Sequence, residues 1–162
     1  MNTGMEQKIV WIDETLREEA IKLVNQFFRQ VNAMTLDGLF KIRPRAATRM
    51  VDLYLKLVGA GNVVFVGILE QDKLLSLVIA RVEEKPLLEE EKTLFIDLAV
   101  TKKGHMGKGH MNALVDFTER WAVEKNIPAI ELRAIAENSS AVAYWEKRGY
   151  DPFYVRFRKK LV

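Results

Sequence analysis

The stretch that decides the fold is LAVTKKGHMGKGHMNAL, residues 98–114. Its apolar start predicts the end of a buried strand, and the helical spacing of apolar residues after residue 109 predicts a helix. Between them lies a basic turn with glycines at 104, 107 and 109. Glycine lets the backbone come close to a ligand, and the unpaired N–H groups of a helix N-terminus favour an anion. The stretch therefore predicts either an anion-binding turn or a turn that only needs flexible residues.

Two common phosphate-binding motifs fit this turn poorly. A Walker loop requires Ser or Thr after Gly-Lys, whereas Gly107 and Lys108 are followed by Gly109. The dinucleotide fingerprint requires a third glycine and ends the first strand of its unit, and this turn meets neither requirement. A regulator that binds ATP or NAD through this turn is therefore the least favoured functional hypothesis.

A second segment makes the signal specific. IELRA, residues 130–134, predicts a strand, and NSSAVAYWEKRGY, residues 138–150, follows it after three residues. In order and spacing the two segments resemble the GNAT superfamily of acyl-CoA-dependent N-acetyltransferases over about residues 94–151. The family's pyrophosphate loop, Q/R-x-x-G-x-G/A, matches at Gly107 and Gly109 but has Gly104 at the Q/R position. Lys103 or His105 is then expected to supply the missing contact.

The family's later pattern, N-x-x-A-x-x-x-Y-x-x-x-G-F, also matches with one departure. Asn138, Ala141 and the pair at 149–150 fall on its spacing, but Trp145 stands where the family has tyrosine. In the family that tyrosine often protonates the departing CoA thiolate, and an indole N–H is no practical proton source. Tyr144 is adjacent but points about 100° away on a helix, so the general acid stays unassigned, with Tyr144 as a candidate.

The resemblance implies how acetyl-CoA, the expected co-substrate, would bind. Pantetheine would lie in a slot between splayed strands at 94–100 and 130–136 and hydrogen-bond to the backbone of strand 94–100 like an added strand. The pyrophosphate would meet N–H groups between residues 105 and 110, with no metal required because helix dipole and lysines neutralise its charge. The expected CoA-binding residues are Leu98, Ala99, Val100, His105, Met106, Gly107, Lys108, Gly109, His110, Asn138, Ala141, Tyr144 and Trp145.

The implied reaction is attack of an amine on a thioester, so a base near the slot is needed to take the ammonium proton. Asp97 interrupts the apolar run Leu94–Val100, where an acid is costly unless it has a role. It is a candidate catalytic residue, with a salt-bridged or edge-facing strand residue as the alternative. Glu131 is the second candidate, although its alternation with Ile130 and Leu132 favours an ordinary solvent-facing position.

The order of elements fits the fold that the resemblance implies, an α/β (α+β) fold. The resemblance predicts a single GNAT-like domain over residues 1–162, with a mixed, mostly antiparallel sheet flanked by helices and splayed central strands. Asp13, or Thr15, is expected to cap the first helix, and Pro44 to interrupt residues 36–47. Further helices are predicted at Ala47–Val58, after the glycine turn, and at 139–148. The predicted strands are Lys8–Asp13, Val63–Leu69, Leu74–Val82, Thr93–Val100, Ile127–Ala134 and Phe153–Arg158.

Composition restricts the functional classes. The chain has 162 residues, 49% hydrophobic and 29% charged, which is typical of a globular protein. It has no cysteine, which excludes disulfides and thiolate chemistry and is compatible with the cytoplasm. A net charge of +3 suits an anionic cofactor but is no signature of nucleic-acid binding. The absence of a signal-peptide pattern and of long apolar runs predicts no membrane association.

Two further groups of residues, the histidines and the basic residues around Pro44, give weaker indications of function. His105 and His110 lack a third metal ligand and are expected to be loop residues. The basic residues around Pro44 indicate an anionic acceptor, the CoA 3′-phosphate, or solubility. They are Lys41, Arg43, Arg45 and Arg49.

The sequence thus predicts an N-acetyltransferase that moves an acetyl group from acetyl-CoA to a primary amine by direct attack in a ternary complex. The acceptor is expected to be a small molecule or peptide, and the protein a monomer or homodimer. The alternative is a non-catalytic domain that binds or senses CoA, which the tryptophan at position 145 and the missing Q/R side chain favour.

Overall fold

The structure is a computed structural model, and it describes residues 7–34 and 41–162. The interruption predicted over residues 36–47 begins before residue 41, and that first part lies outside the described residues. Within them, five strands form one sheet in the order β1-β2-β3-β4-β5. All neighbouring strands are antiparallel except β4 and β5, which are parallel. The predicted mixed, mostly antiparallel sheet is confirmed. The strands are β1 Lys8–Trp11, β2 Val63–Glu70, β3 Lys73–Glu84, β4 Lys92–Thr101 and β5 Ile130–Leu132.

Four α-helices flank the sheet. Asp13 begins the first helical segment, since its carboxylate accepts a hydrogen bond from the N–H of Thr15, and a short 3₁₀ turn, Glu14–Leu16, leads into α1. Asp13, rather than Thr15, is therefore the capping residue. The α-helices are α1 Arg17–Met34, α2 Ala46–Leu57, α3 His110–Glu124 and α4 Ser139–Lys147.

Strands β2 and β3 form a hairpin. Gln71 and Asp72 both have positive φ, 47° and 61°, which is the backbone of a tight two-residue hairpin turn. Both strands are buried along most of their length because helices cover both faces of the sheet. One core lies under α1 and α2 and includes Leu23, Val51 and Phe65. The other lies under α3.

The predicted strand Phe153–Arg158 is wrong. Residues 150–162 have no regular secondary structure, and their side chains from residue 151 onward are exposed. Phe157, for example, is 94% exposed. A strand needs a neighbour for its backbone hydrogen bonds. The sheet edge nearest in sequence, β5, is also shorter than predicted, with only three residues.

Candidate active site

The sheet opens where β4 and β5 stop pairing. Their parallel register joins Leu94–Ile96 to Ile130–Leu132 and ends there. β4 continues to Thr101, whereas β5 has no further residue. Among the described residues, the side of β4 that faces β5 therefore has no strand partner along Leu98–Val100, which pair only with β3 on the other side. This is the edge on which the family resemblance implies that pantetheine binds.

A β-bulge lies at the point where the sheet opens. Ile79 pairs with Leu98 and Ala80 pairs with Ile96, so Asp97 is an extra residue without a partner in β3. A bulge redirects side chains and is common next to active sites. Here Asp97 reaches α2 on the same side of the sheet as Leu98, its neighbour in the chain.

Two side chains hold the Asp97 carboxylate. Tyr54 of α2 donates its hydroxyl proton to Oδ2, and Nε of Arg81 donates to the same oxygen at 3.1 Å. Burial, and then the hydrogen bond to this carboxylate, raise the pKa of Tyr54, so its hydroxyl stays a donor. Within the described part of the chain, Oδ1 has no hydrogen-bond partner. The side chain is only 13% exposed, so Oδ1 is a largely desolvated acceptor at the mouth of the slot.

A row of side chains crosses the sheet beside this carboxylate. Arg81, Phe95 and Glu131 are successive partners in the registers of β3, β4 and β5. The guanidinium groups of Arg81 and Arg133 each lie 5.2 Å from the centroid of the Phe95 ring. Glu131 is in an ion pair with Lys85 at 2.6 Å, and both side chains are about four-fifths buried. Of the two candidate bases, Glu131 is therefore already neutralised by a lysine.

The glycine turn after β4 has the backbone that its sequence predicts. Gly104, Gly107 and Gly109 have φ of 88°, 77° and 82°, a conformation that side chains disfavour. A Cβ built on any of the three would meet no protein atom within 4 Å. The space above the turn is thus open to a ligand, while Met106 and Lys108 are exposed around it.

The turn is fixed at its start and leaves α3 uncapped at its end. Gln26 of α1 donates to the carbonyl of Thr101 at 2.8 Å and accepts from the N–H of Lys103 at 3.1 Å. Gly109, the N-cap of α3, makes no side-chain cap hydrogen bond. Free N–H groups at a helix N-terminus bind anions.

His110 differs from its prediction as a loop residue. It is the first residue of α3, and it is buried, with 4% of its surface exposed. Its Nε2 has no hydrogen-bond partner in the described structure. Burial lowers the pKa of the imidazole, so the ring is neutral at pH 7. His105 precedes it in the turn and is half-buried.

Helix α4 positions the remaining predicted residues. Asn138 is its N-cap, and Oδ1 accepts from the N–H of Ala141. The hydroxyl of Tyr144 donates to Asn112 of α3 at 2.9 Å, which directs it toward that helix. Trp145 packs on the core under α3 and makes an edge-to-face contact with Tyr150. Neither aromatic residue contacts Asp97.

Sequence reasoning missed the residues that contact Asp97 and the turn. Tyr54 occupies a buried position of a helix, where the sequence pattern indicates only a core residue. Arg81 bonds to Asp97, 16 residues away in the chain, and Gln26 bonds to Thr101, 75 residues away. Only the folded chain brings these partners together. Arg133 carried no motif at all.

No group of three or more His, Cys, Asp or Glu side chains among the described residues is arranged to hold a metal ion. No helix in that part of the chain has both the length and the apolarity to cross a membrane.

The family of the chain follows from comparison with known proteins. The family model described as the acetyltransferase (GNAT) family matches residues 28–150, more than half of the chain. The chain therefore belongs to the GNAT family of acetyltransferases, and the predicted family and enzyme class are confirmed. A comparison with curated protein sequences found no match.

Solved structures share the fold at low identity. The aminoglycoside N-acetyltransferase AAC(6')-Iy in complex with CoA is 14% identical, with a TM-score of 0.76 over 100% of this chain and 99% of that chain. A mutant protein from Bacillus halodurans is 16% identical, with a TM-score of 0.80 over 98% and 100% of the two chains. A Trypanosoma brucei acetyltransferase is 13% identical, with a TM-score of 0.70 over 96% and 100%. The predicted fold is confirmed.

Proposed function

We propose that the protein transfers an acetyl group from acetyl-CoA to a primary amine by direct attack in a ternary complex. One observation carries the proposal: β4 and β5 separate at a bulge whose extra residue is Asp97. One oxygen of its carboxylate accepts no hydrogen bond from any described residue. A slot with a desolvated acceptor at its mouth suits an amine that must lose a proton before it attacks.

The glycine turn supports binding of CoA in this slot. Its left-handed glycines leave open space on the ligand side, and the uncapped N-terminus of α3 offers N–H groups to a pyrophosphate. The open edge of Leu98–Val100 offers backbone groups to pantetheine. Nδ2 of Asn138 is available to the same arm, since Oδ1 caps α4. The structure of AAC(6')-Iy, which has the same fold, was solved with CoA.

In the reaction, the amine gives a proton to Oδ1 of Asp97 or to a water that this oxygen holds. Its nitrogen then bonds to the thioester carbonyl carbon, and backbone N–H groups of β4 stabilise the negative charge on the oxygen. The carbon–sulfur bond breaks as the carbonyl re-forms, and CoA leaves as a thiolate. The nitrogen, positively charged after the attack, gives its second proton to water, and water protonates the thiolate. A thiol has a pKa of about 8.5, so it leaves without a strong acid. The products are an acetylated amine and CoA.

A non-catalytic CoA-binding domain is the second candidate function. One arrangement favours it. Trp145 packs against the core and the Tyr144 hydroxyl donates to Asn112, so neither residue lies beside Asp97 as a general acid. The direct-attack scheme does not need one, because water can protonate the thiolate.

Thiol release from acetyl-CoA separates the two functions. We expect it to rise with added amine in a panel of amino acids, polyamines, peptides and aminoglycosides, and calorimetry to detect binding of CoA. Binding of CoA with thiol release that no amine accelerates would favour the non-catalytic domain. A folded sample that binds no CoA at millimolar concentration would exclude both.

A further inference from the structure

We propose, building on the acetyl transfer proposed above, that the acceptor is an amine that also carries a carboxylate, as a free amino acid does. The observation is a pair of opposite charges that frame the slot. Asp97 lies on its β4 side and Arg133 on its β5 side, and they are not bonded to each other.

The register of β4 and β5, extended by one residue beyond its end, brings the two residues opposite each other. Phe95 pairs with Glu131 and Ile96 pairs with Leu132, so the next position would set Asp97 opposite Arg133. The ladder ends at that point. Both side chains lie on the α2 side of the sheet, because Asp97 contacts Tyr54 and because the guanidinium of Arg133 lies over the same ring as that of Arg81.

The charges around the opening are committed to partners with one exception. Arg81 bonds to Asp97 and to Glu83, at 3.1 and 3.3 Å. Lys85 neutralises Glu131. No carboxylate of residues 7–34 or 41–162 lies within ion-pair distance of the exposed Arg133, whose guanidinium lies over the ring of Phe95. A cation without a counter-ion thus stands on one side of the opening, and a carboxylate oxygen without a donor on the other.

These two groups complement a compact zwitterion. An ammonium group would donate to Oδ1 of Asp97, and a carboxylate would accept two parallel hydrogen bonds from the planar guanidinium of Arg133. Phe95 holds the guanidinium by a cation–π contact, so its donors are directed rather than free to rotate. A polycation such as an aminoglycoside would bring an ammonium group against Arg133 and be repelled.

The test uses amino acids of different side chains, each paired with its C-terminal amide, and includes spermidine and one aminoglycoside. For wild type we expect kcat/KM for each acid to exceed that of its amide by about tenfold or more, the value of roughly 1.4 kcal/mol of charge-assisted contact. Arg133→Gln should remove that difference by slowing the acids and not the amides, and Arg133→Lys should restore part of it. Arg120→Gln, which removes an exposed charge from α3, is the matched control and should behave as wild type.

Calorimetry of the same amino acids in the presence of CoA gives a readout that needs no turnover. Binding that weakens in Arg133→Gln and not in Arg120→Gln supports the inference even if no acetyl transfer occurs. Fast acetylation of spermidine or the aminoglycoside, with inert amino acids, would overturn it while leaving the acetyltransferase proposal in place. Absence of amino-acid binding, together with thiol release that no amine of the panel accelerates, would overturn both.

Discussion

The hydroxyl of Tyr54 donates a hydrogen bond to Oδ2 of Asp97, which ties helix α2 to the bulge of β4. Tyr54 therefore positions the carboxylate, together with Arg81, and leaves Oδ1 without a donor among the described residues. The two oxygens of this carboxylate therefore differ: Oδ2 accepts hydrogen bonds from the protein, and Oδ1 is available to the amine.

Replacing Asp97 with Asn should lower kcat by about 10²- to 10⁴-fold, the usual contribution of a general base. Binding of CoA, measured by calorimetry, should change little. Glu131→Gln is the matched carboxylate control and should retain most activity, because Glu131 is already paired with Lys85. If Tyr144→Phe alone abolishes turnover while both carboxylate variants stay near wild type, Tyr144 is the acid and the scheme is wrong.

Tyr54→Phe should lower kcat roughly tenfold, the effect of losing about 1.4 kcal/mol of transition-state stabilisation, because Asp97 loses one of two donors. The pH profile of kcat/KM should shift as well, which a purely structural role would not produce. Tyr150→Phe removes a hydroxyl bonded to Glu119, on the other side of the sheet, and serves as control. An unchanged rate and pH profile in Tyr54→Phe would refute the positioning role.

Gly107→Val should weaken binding of CoA by about tenfold or more, since its side chain would occupy the open space above the turn. A β-branched residue at positive φ also costs about 1–2 kcal/mol of stability. Gly59→Val is the control for that cost, because Gly59 has a φ of 93° and equally open surroundings away from the turn. Calorimetry and thermal unfolding of both variants separate lost binding from lost stability. Equal affinity for CoA in the two variants would show that the turn does not take part in CoA binding.

His110 should make the protein less stable in mild acid. Its pKa in the folded state is lowered by burial, so between that value and the unfolded value of about 6.5 the unfolded chain binds more protons. The free energy of unfolding should therefore be at its full value above pH 6.5 and fall as the pH decreases below it. His110→Gln should flatten this slope relative to wild type in urea titrations between pH 5 and 8. Equal slopes in wild type and His110→Gln would contradict the assignment.

The part of the site that sequence could predict lies in local patterns. The glycines at 104, 107 and 109 predict their own backbone because few other residues accept that conformation. Asp97 could be identified from the sequence because burying a carboxylate in an apolar strand costs free energy unless the group has a partner or a function. The bulge itself was not, since it depends on how Ile79 and Ala80 pair across from it.

Contacts set by the fold account for the rest. Arg133 belongs to no motif, and its position relative to Asp97 follows only from extending the β4–β5 register by one residue. The alternating apolar residues near Phe153 predicted a strand, but alternation cannot supply the neighbouring strand that the backbone requires. His110 carried loop signals from the preceding glycines, and the helix that begins at it buries its ring.

The central claim, direct acetyl transfer from acetyl-CoA to an amine held in the slot, is tested most directly by initial rates of thiol release with both substrates varied. Amino acids of the panel above serve as acceptors, and mass spectrometry identifies the acetylated product. We predict rates that rise with both concentrations and double-reciprocal lines that intersect, as for two substrates bound together. Parallel lines, which indicate an acetylated enzyme, or thiol release independent of every amine would contradict the claim.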